Sequence, residues 1–124
     1  LENDLCEIFF NCCKKKLSEK TIRLNNKKSI CIVICSKGYP EDYRKNREIK
    51  NLNKLSLKNN EYVFHAGTKL KDNKILNSGG RVLNFVAVSK NLKESRENLI
   101  KQIKMLDWKD GFFRKDIAYK IINS

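Results

Sequence analysis

The stretch Ile30-Cys31-Ile32-Val33-Ile34-Cys35 constrains this chain more than any other: six consecutive apolar residues, four of them β-branched. Branching at Cβ stiffens χ1 and favours the pleated backbone of a strand, and six residues are too few for a buried helix. Being apolar on both faces, the run predicts a central strand buried on both sides. It ends at Ser36-Lys37-Gly38-Tyr39-Pro40, where a glycine and the only proline force a turn. Loops at the ends of central strands commonly carry ligand contacts.

Other strands are expected around it. Tyr62 to Leu70 reads as a strand interrupted at Gly67, and a glycine there marks a bulge or a close backbone approach. Lys71-Asp72-Asn73-Lys74 supplies a hairpin turn, since Asp and Asn tolerate positive φ, and Ile75-Leu76 begins the return strand. Ser78-Gly79-Gly80 turns again into the apolar run from Arg81 to Val88, and these lengths predict three adjacent antiparallel strands. Thr21 to Leu24 is a further short strand candidate, whereas 41–60 is polar, with Ile49, Leu52, Leu55 and Leu57 as scattered apolar points.

Two segments carry the 3.6-residue period of helices. In the first, Leu5, Ile8, Phe9, Cys12 and Cys13 form one stripe, with Asn3 or Asp4 as cap and Glu7 placed for a capping box. In the second, Asn91 and Glu94 have capping-box spacing, and Leu92, Leu99, Ile103 and Leu106 share a face, with Ser95 filling a gap. The fold class expected is therefore α+β: a largely antiparallel sheet with one long amphipathic helix packed on it, plus an N-terminal helix. A closing segment with Trp108, Phe112 and Phe113 around Gly111 runs on to Ile121-Ile122.

Bulk properties exclude several classes. No apolar run approaches the roughly 20 residues that cross a bilayer, so no membrane span is expected. The five cysteines, at 6, 12, 13, 31 and 35, include no CxxC pair. They read as reduced, buried thiols serving as small hydrophobes, which points to the cytoplasm. The start, Leu1-Glu2-Asn3-Asp4, is acidic and lacks an initiator methionine, unlike a secretory leader, and is expected of a piece of a longer chain. A net charge of +13 keeps open an alternative, a small basic nucleic-acid-binding module. Against it, the lysines spread along the whole chain with no aromatic-interleaved stripe, as on a solvated surface.

Catalytic chemistry is sparse. There is one histidine, no His/Cys/carboxylate cluster at metal spacing, no nucleophile elbow and no phosphate-binding glycine loop of a known type. What remains is a set of groups suited to an anion: Arg81 after Gly79 and Gly80, whose bare N–H groups could form a concavity, beside His65, Gly67 and Thr68. A hairpin glycine pair beside an exposed arginine, and a hydrogen-bonded core histidine, are the competing readings of the same residues.

Four motifs in order carry a resemblance: Ser36-Lys37-Gly38-Tyr39-Pro40 with Asp42-Tyr43, then Val63-Phe64-His65-Ala66-Gly67-Thr68, then Gly79-Gly80-Arg81-Val82-Leu83, then Arg114-Lys115-Asp116-Ile117. Together they resemble the C-terminal region of the phosphoribosylamine-glycine ligase family, over nearly the whole chain. Departures are Lys37 and Glu41, where that family usually has glycine, and Asn73 and Ala118, which replace further glycines.

The resemblance implies an ATP- and Mg²⁺-dependent ligase of purine synthesis that joins 5-phosphoribosylamine to glycine through a glycyl phosphate. Residues 1–17 would be the last helix of the preceding ATP-grasp domain and 18–124 the C-terminal domain. The N-terminal and ATP-grasp domains of the same chain would be its partners, and no cofactor is expected on this piece, which alone would be inert. Arg81, Gly79, Gly80, Gly67, Thr68 and His65 would then contribute to the phosphoribosylamine site.

Overall fold

The apolar run becomes β1 (Lys28–Ser36) of the computed structural model, which describes residues 1–18 and 22–122. It lies inside a four-stranded sheet of order β2-β5-β1-β6, formed with β2 (Glu61–His65), β5 (Arg81–Ser89) and β6 (Gly111–Phe112), all neighbours antiparallel. Its central position matches expectation, but its burial is one-sided. Ile30, Ile32 and Ile34 are buried, whereas Cys31 is exposed and Val33 and Cys35 are half-buried. The reason is that α2 (Leu92–Met105) covers only one face of the sheet, so the β1 side chains of the other face meet solvent. Composition alone could not separate these cases, because the outward positions are themselves apolar.

The covered face holds the core. Leu99 and Ile103 of α2 meet Ile30, Ile32, Ile34, Leu83, Phe85 and Ala87 of the sheet, and Ile49 joins from the preceding connection. Burying Leu99 and Ile103 contributes about 1.5–3 kcal/mol each. Asn91 caps the helix by accepting from the Glu94 N–H at 3.2 Å, as the sequence spacing requires.

Of the three adjacent strands expected from Tyr62 to Val88, the first, broken at Gly67, pairs with each of the other two but in separate sheets, and those two are not neighbours. β3 (Thr68–Lys71) and β4 (Lys74–Asn77) form a separate two-stranded hairpin, and β5 pairs with β2 and β1 instead. Gly67 is the pivot: its N–H donates to the Arg81 carbonyl at 2.9 Å, while its carbonyl accepts from Ser78 at 2.8 Å. The hairpin turn itself is as expected, with Asp72 at φ 49° and Asn73 at φ 57°. The far edge of β4 bridges to the preceding connection through Glu48 and Leu76.

At the N-terminus, α1 (Leu5–Cys13) is capped by Asp4, which accepts from the Glu7 N–H at 3.0 Å. Only Ile8 of α1 is buried, and Leu5, Phe9 and Phe10 are at least half exposed. The buried-thiol expectation fails: Cys6, Cys12, Cys13 and Cys31 are exposed and Cys35 is half-buried, because they lie on helix and sheet faces that the described residues leave largely open. All five are free thiols. Of the strand expected over 21–24, Thr21 lies outside the described residues, and 22–24 form no strand. Arg23 instead anchors the start of the chain, accepting from the Glu2 N–H at 3.0 Å. No described helix is long and apolar enough to cross a membrane.

Ala118, which stands where the resembled family has glycine, has φ 61°. A left-handed backbone costs a residue with a Cβ about 1–2 kcal/mol. Part of that gain is returned by the extra freedom of glycine in the unfolded chain. Ala118→Gly is therefore expected to raise stability by about 0.5–1 kcal/mol, read as a higher urea midpoint at unchanged slope.

Candidate anion-binding site

The turn Ser78-Gly79-Gly80 and the first residues of β5 are held from three sides. The Ser36 hydroxyl donates to the Gly79 carbonyl at 2.8 Å, and the Ser36 N–H donates to the Gly80 carbonyl at 2.7 Å. From the other side, the Gly79 N–H reaches the Gly67 carbonyl at 3.2 Å. The two glycines touch so closely that a Cβ on Gly67 would fall 2.7 Å from the Gly79 Cα. The side chain of Tyr39 lies against Gly80, where a Cβ would meet its ring at 1.9 Å.

Beneath this turn lies Asn77, fully buried at the end of β4. Its amide nitrogen donates to the Ser36 hydroxyl at 2.9 Å and to the Arg44 carbonyl at 2.6 Å, and its oxygen accepts from the Arg47 N–H at 2.7 Å. Every polar position of the side chain that the buried site can use is engaged. One residue thus links β1, β4 and the connection after β1.

The direction of Arg81 follows from a β-bulge. The β1–β5 register pairs Ile34 with Leu83 but Cys35 with Arg81, so Val82 is an extra residue on β5. Strict alternation would set Arg81 and Asn84, three residues apart, on opposite faces. The bulge turns Arg81 to the side of Cys35 and Asn84, which is the face α2 does not cover. Burial pushes the Cys35 thiol up from its usual range while the neighbouring Arg81 guanidinium pulls it down, in accord with that placement.

On this face is an open hollow of about 470 Å³, lined by Val33, Tyr39, Ala66, Gly80, Arg81 and Asn84. The Arg81 side chain is exposed and has no hydrogen bond or ion pair to another side chain among the described residues. A smaller, mainly apolar hollow of about 170 Å³ lies nearer β6, and the arginine on its rim, Arg114, is paired with Asp116 at 2.6 Å. Of these two hollows, the one at Arg81, whose guanidinium has no carboxylate partner among the described residues, is therefore the better site for an anion.

The six residues marked in the sequence divide. Arg81 and Gly80 line the hollow; Gly67 and Gly79 lie behind it as a backbone contact, where the Gly79 N–H is already used by Gly67 and is not a bare donor. His65 and Thr68 pair with each other, Nδ1 to Oγ1 at 2.9 Å. His65 is opposite Leu83, so it falls on the side of the sheet away from Asn84, and it is exposed rather than a core residue. Tyr39, Asn84 and Ala66 were not marked. A polar residue inside the apolar run 82–88 was the one available signal for Asn84, whereas nothing local distinguishes Asn77.

Comparison with known proteins gives a consistent picture. The family model described as phosphoribosylglycinamide synthetase, C domain, matches residues 29–120. Phosphoribosylamine-glycine ligase of Caldanaerobacter subterraneus is 38% identical over 118 residues, covering 95% of this chain and 28% of the relative. The same-named protein of Haemophilus influenzae is 36% identical, covering 98% and 28% respectively. A trifunctional purine biosynthetic protein of Gallus gallus is 37% identical, covering 98% of this chain but 12% of its own length. Among solved structures, phosphoribosylamine-glycine ligase of Thermotoga maritima superposes with a TM-score of 0.59 at 28% identity, over 73% of this chain and 22% of that one. The chain thus spans little more than a quarter of the two bacterial relatives it matches.

Proposed function

Because this chain belongs to the family of the phosphoribosylglycinamide synthetase C domain, we propose that it is the C-terminal part of a ligase that joins phosphoribosylamine to glycine, and that its open sheet face forms the wall of the cleft that receives phosphoribosylamine. In that reaction the γ-phosphoryl group of ATP passes to the glycine carboxylate and ADP leaves; the amine then attacks the acyl carbon, forming the amide as phosphate leaves and the amine gives up a proton. Arg81 is the observation that carries the cleft assignment. It is exposed, without a side-chain partner among the described residues, and aimed by a bulge into an open hollow. A planar guanidinium offers a phosphate two parallel donors, which an ammonium cannot.

Among the described residues no three His, Cys, Asp or Glu side chains converge on a point that a metal ion could occupy. We assign the Mg²⁺ and ATP of the complete ligase to the parts of it that this chain does not span. The chain's own role is to bind and orient. We assign residues 1–17 to the end of the preceding ATP-grasp domain, because α1 leaves Leu5, Phe9 and Phe10 uncovered and contributes nothing to the core cluster. The remaining domains of the ligase are its partners, and we place the enzyme in the cytoplasm. No particular observation favours the nucleic-acid reading.

In the complete ligase, Arg81→Ala is expected to raise the KM for phosphoribosylamine about 10- to 100-fold, the loss of one charge-assisted contact of about 1.5–3 kcal/mol. The KM values for glycine and ATP should stay within about twofold. Unchanged phosphoribosylamine kinetics would remove this face from the substrate site.

A further inference from the structure

We propose that Asn84 reads the sugar end of the ligand whose phosphate Arg81 holds, taking a hydroxyl or amine of the pentose with its side-chain amide; this rests on the substrate assignment above. Asn84 stands in the middle of β5, opposite Val33 on one neighbouring strand and Phe64 on the other. Asparagine is disfavoured in strands, so one flanked by Val33 and Phe64 calls for a reason. None is found within the chain: the amide of Asn84, half-buried, has no hydrogen-bond partner among the described residues.

Its position relative to Arg81 supplies the reason. Three residues on a strand span at most about 10 Å, and less across a bulge. That is the scale of a pentose phosphate lying along β5, with its anionic end at Arg81 and its hydroxyls at Asn84. The extra residue Val82 is what makes both side chains face the same hollow. A carboxamide is both donor and acceptor, which suits hydroxyl and amine groups and gives a dianionic phosphate no charge. The two residues therefore divide recognition, Arg81 taking charge and Asn84 taking the pentose. Tyr39, lying on Gly80, closes one side of the hollow. A site that hydrogen-bonds a hydroxyl rejects a ligand that lacks it, so Asn84 is a specificity residue rather than an anchor.

The test uses the complete ligase with ribose 5-phosphate and inorganic phosphate as inhibitors competing with phosphoribosylamine. Asn84→Leu, nearly the same size and at home beside Val33 and Phe64, should weaken inhibition by ribose 5-phosphate at least about tenfold and leave that by phosphate within about twofold. Arg81→Ala should weaken both. If Asn84→Leu changes neither, or both equally, while Arg81→Ala weakens both, the role of Asn84 is overturned and the substrate assignment stands. If Arg81→Ala changes neither, the substrate assignment itself fails. Thermal midpoints of the variants are measured alongside; should the leucine lower the midpoint, Asn84→Ser, shorter and still polar, reports the same contrast between the two inhibitors.

Discussion

Asn77→Ala is expected to lower the stability of this domain by about 3–5 kcal/mol, a large part of the roughly 5–15 kcal/mol that holds a domain together. The physical reason is the number of groups it would leave without a partner. Asn77 is fully buried, and its loss strands the Arg47 N–H, the Arg44 carbonyl and one side of the Ser36 hydroxyl. An unsatisfied buried polar group costs about 1–3 kcal/mol, and three within one network do not add in full. Ser36→Ala removes fewer contacts, those to Gly79 and Asn77, and should cost less. Urea unfolding followed by circular dichroism gives both values. A loss under about 1 kcal/mol for Asn77→Ala would show that this network does not hold the turn.

Gly67→Ala is expected to combine a stability loss of about 2–3 kcal/mol with a fall of about 10²-fold in kcat/KM for phosphoribosylamine in the complete ligase. The added Cβ would lie 2.6 Å from the Arg81 carbonyl oxygen, 2.7 Å from the Gly79 Cα and 2.9 Å from the Gly79 nitrogen. All three are backbone atoms, so no rotamer change relieves the clash. The backbone must move, and the part that moves carries Arg81. Displacing a binding group by about 1 Å can cost on the order of 10²-fold without removing any contact group. Gly79→Ala offers the control: its Cβ would come no nearer than 3.1 Å to Gly67, a contact that a small shift accommodates. Gly67→Ala with wild-type stability and kinetics would show that this contact does not set the position of Arg81.

Elements with a local cause were legible in the residues. Asp4 and Asn91 cap their helices because a short polar side chain can reach the N–H three residues on, whatever the rest of the chain does. The Asp72-Asn73 turn follows from two side chains that tolerate positive φ. Burial was misread wherever it depended on a neighbour. Cys31 and Cys35 belong to an apolar run, yet α2 packs on the opposite face, and the stripe of α1, Ile8 apart, is left uncovered by the described residues. The candidate site was half legible for the same reason. Gly80 and Arg81, which line the hollow, carry a local signal in glycine next to arginine, whereas His65 faces the other side of the sheet and Thr68 belongs to the separate β3–β4 hairpin.

The residues by themselves determined the class of fold, the family, both helix starts and the hairpin turn, since each follows from contacts within a few positions or from motifs in order. Tertiary structure alone decided which strands are neighbours, which face of β1 is covered, and that Arg81 and Asn84 share a hollow. These depend on a pairing between β1 and β5, some 50 residues apart in sequence, and on one extra residue in it, Val82. A shift of one position in such a pairing reverses the face of every side chain beyond it, and no local signal in the chain records where it falls.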